Sequence, residues 1–194
     1  MVADDVKVRV VKVGGSLLDW DQLPTRLNSY LARDRSIHQV LIAGGGGLVE
    51  VIRDADKRYR IGEEKSHWMC IELLSTTAKI LHSIVESATW SDTLGGVMEG
   101  LEGAPRVWVV DTSRILQQEE PTCNKPLPHG WHITTDSIAA RFAELLGGEL
   151  VLLKSATCPQ HSSYKQLAEA GYVDDFFPEI ATRVRTVRFE NLRP

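Results

Sequence analysis

The sequence predicts an α/β fold, a three-layer sandwich in which a mainly parallel central sheet lies between two layers of helices. Two observations carry this. Short valine- and leucine-rich runs recur along the chain, and several are apolar on both faces, as strands covered on both sides must be. Between them lie stretches with apolar residues every three or four positions, the period of a helix with one buried face. No internal repeat and no low-complexity linker divides the 194 residues, so one domain over 1–194 is expected.

The elements follow in order. Val6 to Val13 alternates at first and is rich in valine, so it reads as a strand that becomes buried towards its end. Gly14-Gly15 ends it, and Leu23, Leu27 and Leu31 at fourfold spacing predict a helix. Gln39 to Ala43 is a second buried strand, which runs directly into Gly44-Gly45-Gly46-Gly47. Leu48 to about Arg60 reads as a helix with Val51, Ile52 and Ala55 on one face, and Glu63 to about Thr89 as a longer helix. Val107 to Val110 is a third strand, and the polar, proline-containing stretch from Gln117 to Pro128 a loop. Asp136 to Leu146 is helical up to Gly147-Gly148, and Leu150 to Leu153 is a fourth strand. Tyr164 to Ala170 reads as a short helix and Val184 to Phe189 as a last strand.

The formal net charge is −4, and no basic stripe of the kind that tracks phosphodiester backbones is present. No apolar run approaches the roughly 20 residues of a membrane span. The acidic start Met1 to Asp5 lacks a signal-peptide core, so a cytoplasmic location is expected, with no nucleic-acid or membrane partner. Cys70, Cys123 and Cys158 form no CxxC pair, so they read as reduced thiols rather than metal ligands or a disulfide framework. Cys158, before Pro159, is the one expected to be most exposed.

The chemistry concentrates at the ends of strands. Gly14, Gly15 and Ser16 follow the first strand, and Gly44, Gly45 and Gly46 follow the second; each group leads into a helix. Such turns let a backbone approach an anion, and the helix that follows offers unpaired N–H groups and a positive dipole end. Two of them at the carboxyl ends of neighbouring parallel strands would face one crevice and could hold a phosphate chain. Neither fits a Walker A loop or a dinucleotide fingerprint; each could also be only a tight turn. Lys12 lies two residues before Gly14 in a buried strand, where an unpaired ammonium is costly. It could stabilise a transferring phosphoryl group or snorkel to solvent. Thr134-Thr135-Asp136-Ser137 opens a helix; Thr134 or Thr135 could cap it, and Asp136 could complete its first turn or hold Lys12 across the crevice.

Taken together, Lys12-Val13-Gly14-Gly15-Ser16, Gly44-Gly45-Gly46 and Asp136-Ser137-Ile138-Ala139-Ala140 resemble the amino acid kinase family, over roughly residues 6 to 155. The resemblance implies Lys12 as the phosphoryl-stabilising residue and Asp136 as its organiser. It implies the amides of Gly14, Gly15, Gly44, Gly45 and Gly46 as ligands of phosphate and acceptor oxygens, with Ser16 beside them. It further implies ATP with its Mg2+ as donor and a homodimer. No protein base is needed when the acceptor is already an anion. A narrower likeness is carried by His67-Trp68-Met69 and Pro126-Leu127-Pro128-His129-Gly130-Trp131. It is to a small archaeal-type branch that contains an aminomethylfuran phosphate kinase of methanofuran synthesis. It implies His67, Trp68, Trp131 and Thr134 around the acceptor, with core packing as the alternative for the two tryptophans and a plain helix-end position as the alternative for His67. The chain departs from the family after its fourth strand, where the usual aspartate and glycine-rich loop are replaced by Lys154-Ser155-Ala156-Thr157-Cys158-Pro159 and the C-terminal part is shortened. Lys154 or Lys165 is then the candidate for the family's second lysine. Two functions fit these residues: a small-molecule kinase, or a non-catalytic phosphate- or nucleotide-binding protein on the same fold. An unrelated α/β protein would leave Lys12, the two glycine turns and Asp136 apart.

Overall fold

The computed structural model describes residues 8–119 and 125–193. Strand β1 (Val8–Val13) leads through a 3-10 turn (Gly15–Leu17) to helix α1 (Leu23–Leu31). Strand β2 (His38–Ala43) and helix α2 (Gly47–Tyr59) follow, then the long helix α3 (Glu63–Ile84). Next come β3 (Thr89–Ser91), α4 (Leu94–Gly100), β4 (Val107–Val110) and α5 (Thr112–Glu119). Helix α6 (Thr135–Leu146) and strand β5 (Glu149–Lys154) precede α7 (Tyr164–Glu169), α8 (Phe177–Ile180) and β6 (Val187–Asn191).

The strands form one sheet in the order β3-β4-β2-β1-β5-β6, and every neighbouring pair is parallel. The chain leaves β1 towards β2 on one side and returns to its other side as β5. In open α/β sheets, ligands bind beyond the carboxyl ends of strands at such a reversal. The register aligns Lys12 with Ile42 on β2 and with Leu152 on β5.

Successive strand residues point to opposite faces, and the core divides accordingly. Val8, Val10, Val40, Ile42, Leu150 and Leu152 pack with Ile138, Ala139 and Phe142 of α6. Val11, Val13, Leu41, Ala43, Val151 and Leu153 pack with Leu23, Leu27 and Leu31 of α1. Helix α3 contributes Ile71 and Leu74 to the first layer and Ala78 and Leu81 to the second. Lys12 and Lys154 share the parity of the α6 face, two residues beyond Val10 and Leu152.

Several boundaries differ from the sequence reading. Helix α3 ends at Ile84, because Val85 turns extended, and Thr89–Ser91 forms an edge strand instead of a last helical turn. Residues 117–119 are helical, continuing α5, whose first turn is capped by Asp111: its Oδ1 accepts from the Arg114 amide at 3.2 Å. On α2 only Ile52 is buried; Val51 is 69% exposed, because the helix packs mainly against α3 and turns its other faces outward. The last strand lies at Val187–Asn191 rather than from Val184, which instead caps a 3-10 turn (Ala181–Arg183). Val6, Lys7, Cys123, the acidic residues 1–5 and the middle of the expected loop lie outside the described residues. Cys158 is half-buried, as is Cys70, so exposure does not single it out.

Candidate active site

The carboxyl ends of β1, β2 and β5 and the first turn of α6 come together in one place. Lys12, at the end of β1, is 5% exposed, and its Nζ lies 2.9 Å from Oδ1 of Asp136. Lys154, at the end of β5, donates from Nζ to the other oxygen, Oδ2, at 2.6 Å. One buried carboxylate thus bridges two lysines. Burial works to raise the Asp136 pKa, but the charges of Lys12 and Lys154 outweigh it and hold the carboxyl below the usual range. Burial, reinforced by Lys12, pulls the Lys154 ammonium down. With all three ionised the triad carries a net charge of about +1 in a poorly solvated place, a setting that favours an anion. Lys165 does not join it: it is exposed on α7 and pairs with Glu169.

Asp136 is placed by the start of α6. The Thr134 hydroxyl caps that helix by accepting from the Asp136 amide at 3.3 Å. A second buried acid, Asp174, fixes the cap. Its Oδ2 accepts from the Thr134 amide at 3.0 Å, the Thr134 hydroxyl at 2.8 Å and the Ser137 amide at 3.0 Å. Its Oδ1 accepts from the Ser137 hydroxyl and, at 3.0 Å, from the Phe177 amide that opens α8. Burial pushes the Asp174 carboxyl up, against the donors from Ser137 and Thr134. Sequence reasoning missed Asp174. Its one local signal, an acid three residues before Phe177-Pro178, is a common helix-start pattern.

The two glycine turns pack backbone against backbone. A Cβ on Gly15 would collide with the Gly46 nitrogen, and one on Gly44 would lie 2.9 Å from the Gly15 Cα. Gly46 has φ +60, which glycine adopts without strain. Two of the expected anion-binding amides are already engaged: Gly14 N–H donates to Leu153 O at 2.8 Å and Gly44 N–H to Val13 O at 2.9 Å, extending the sheet. Among the described residues the amides of Gly15, Gly45 and Gly46 have no such partner. The Ser16 hydroxyl is exposed and lies 2.7 Å from that of Ser155, joining the first turn to the end of β5.

Beside the second turn is a pocket of about 80 Å³ lined by Gly45, Arg53, His67, Trp131 and Thr134, with Val49, Ile71, Leu74, Ile133 and Ile138 as its apolar walls. His67 Nδ1 is 3.3 Å from the Gly130 carbonyl, which can only accept, so Nδ1 carries the proton. Burial lowers the His67 pKa and keeps the ring neutral, leaving Nε2 as an acceptor. The Trp131 indole donates to Asp56 Oδ2 at 2.9 Å, and the Arg53 guanidinium lies 4.6 Å above its ring. Cys70 also lines the pocket, its thiol pushed up to about 11 by burial. Trp68 is not among the lining residues; it packs on the core and edge-on to His67 and His129.

A parallel sheet of this order, with Lys12, two glycine turns and Asp136 brought together at its carboxyl edge, has the amino acid kinase fold. Over 96% of this chain and 92% of the other, it superposes on the uridylate kinase of Archaeoglobus fulgidus with a TM-score of 0.60 at 16% identity. The aspartate kinase of Synechocystis matches 94% of this chain over 37% of its own, with a TM-score of 0.54 at 16% identity. No family model matches the sequence. A curated relative, the [5-(aminomethyl)furan-3-yl]methyl phosphate kinase of Methanocaldococcus jannaschii, is 28% identical over 147 residues, or 75% of this chain. The chain spans 64% of the length of that relative. The likeness in fold is thus accompanied by a likeness in sequence to a small-molecule kinase. No helix among the described residues is long and apolar enough to cross a membrane.

Proposed function

We propose that this chain is a kinase that transfers the γ-phosphoryl group of ATP to a small acceptor ending in a phosphate or carboxylate. The observation that carries the reading is the Lys12–Asp136–Lys154 triad, which sets two ammonium groups on either side of one carboxylate at the mouth of two glycine turns. Phosphoryl transfer asks for positioning and charge stabilisation more than for covalent chemistry by the protein. Lys12 and Lys154 would balance charge on the phosphoryl oxygens. The amides of Gly15, Gly45 and Gly46 would ligate donor and acceptor oxygens, and Asp136 would hold the lysines apart and charged. An anionic acceptor oxygen attacks without losing a proton, so no general base is required. Magnesium would arrive with the nucleotide.

The pocket beside the second turn supports a small acceptor body. Its volume of about 80 Å³ is well below the roughly 300–1,000 Å³ of pockets that enclose drug-sized ligands. A nucleoside does not fit such a space, and the apolar walls do not suit a free amino acid. A compact, largely apolar group with one hydrogen-bond donor suits both the walls and His67 Nε2. In the aminomethylfuran phosphate named for the Methanocaldococcus relative, the furan ring suits the apolar walls and the aminomethyl group can donate to His67 Nε2, which supports a place for the present chain in one-carbon cofactor synthesis of the methanofuran or methanopterin type.

The test has two parts. Mg-ATP at millimolar concentration should raise the thermal midpoint of the protein by mass action. ATP consumption should then be measured with small phosphates and carboxylates, in wild type and in Lys12→Ala. Turnover that survives Lys12→Ala would remove this residue from the chemistry, and an unmoved midpoint would set aside the nucleotide site.

A further inference from the structure

We infer that Tyr172 is the positioning residue for Lys154, holding this lysine in the phosphate cleft by carbonyl, ring and hydroxyl together. The inference rests on the kinase reading and extends it to a residue with no recognisable motif.

Lys154 ends a strand, beyond the last of the buried leucines, and a four-carbon side chain at such a place would ordinarily sweep through solvent. Here it is fixed from two directions. One N–H bond goes to Asp136 Oδ2 and a second goes to the Tyr172 carbonyl oxygen, at 2.8 Å. The ammonium also lies 5.3 Å from the centre of the Tyr172 ring, whose π-face attracts a cation. The Tyr172 hydroxyl donates to the Ala156 carbonyl at 3.1 Å, which ties down the turn directly after Lys154. Two of the three ammonium N–H bonds are therefore used, and one remains for a phosphate oxygen.

Tyr172 is itself well anchored. Its amide donates to Leu167 O at 2.8 Å at the end of α7, and its ring meets the Phe189 ring on β6, with centroids 5.6 Å apart. Two residues further on, Asp174 clamps the cap of α6, the helix that carries Asp136. One short loop thus sets both halves of the Lys154–Asp136 pair: the lysine through Tyr172 and the carboxylate through Asp174.

The experiment is a double-mutant cycle on Mg-ATP affinity by titration calorimetry, with Tyr172→Leu, Tyr172→Phe and Lys154→Met. Leucine keeps apolar bulk against Phe189 while removing the π-face and hydroxyl; phenylalanine keeps the ring. Thermal midpoints of the variants establish that each is folded. Tyr172→Leu should weaken Mg-ATP binding about fivefold in the wild-type background, and Tyr172→Phe less than about twofold. In the Lys154→Met background Tyr172→Leu should change nothing, because a residue that acts through Lys154 has nothing left to position. An equal loss in both backgrounds, or none in either, overturns the inference while leaving the kinase reading intact. Wild-type protein that binds no Mg-ATP overturns both.

Discussion

Replacing Asp136 by asparagine should damage the fold far more than removing either lysine, and the reason is charge. The wild-type triad sums to about +1. Lys12→Met leaves the neutral pair of Asp136 and Lys154, in contact at 2.6 Å. Asp136→Asn instead leaves two ammonium groups facing each other with side-chain exposures of 7% and 14% and no carboxylate between them. Breaking a buried ion pair from one side costs about 3–5 kcal/mol. At roughly 2–4 °C per kcal/mol for a chain of this size, the midpoint at pH 7 should fall by about 6–20 °C. Lys12→Met should move it by a few degrees at most. The pH dependence supplies a second check. Lys154 has a depressed pKa in the folded state, so below its ordinary value the unfolded chain binds the extra proton and stability rises with pH. Without Asp136 that depression deepens, so the variant should regain part of its loss between pH 7 and 10. In wild type the Asp136 carboxyl is depressed, and its contribution is present above the ordinary carboxylate pKa and lost as pH falls through the folded-state value. Urea denaturation of the three proteins at pH 7 and pH 9.5 measures all of this. A loss below about 1 kcal/mol for Asp136→Asn, or one that does not change with pH, would refute the buried-triad argument.

Two further outcomes follow from the same geometry. Gly15→Ala places a Cβ against the Gly46 nitrogen, so it should cost about 1–3 kcal/mol of stability and weaken Mg-ATP binding as the turns separate; unchanged urea midpoint and affinity would show that the turns tolerate spacing. Trp131→Ala removes the ring under Arg53 and the indole donor to Asp56; it should raise the acceptor KM about tenfold with Mg-ATP affinity unchanged, and a steady-state series in both substrates would expose the opposite pattern.

The strands that build the site were legible because the middles of β1, β2, β4 and β5 are covered on both faces and so are largely apolar. The glycine turns were legible because each interrupts such a run abruptly. Lys12 stood out as a charge inside a buried strand. The failures have equally physical causes. β3 is a three-residue edge strand, too short for a period to register. Val51 satisfied a helical pattern, but Ile52 is the only residue of α2 that is buried. The glycine amides looked equivalent in the sequence; the sheet register decided that those of Gly14 and Gly44 extend the ladder and are not available to a ligand.

The sequence by itself determined the alternation of strand and helix, the two glycine turns and the candidacy of Lys12 and Asp136, since each depends on neighbours within a turn or two. Only the tertiary structure decided that Lys154, and not Lys165, is the second lysine on Asp136, that Asp174 fixes the helix cap, and that Tyr172 closes over Lys154. Lys12 and Lys154 are 142 positions apart in the sequence, and they meet because β5 returns to lie beside β1 at the reversal of strand order. Local periodicity carries no information about strand order, so these contacts belong to the fold as a whole.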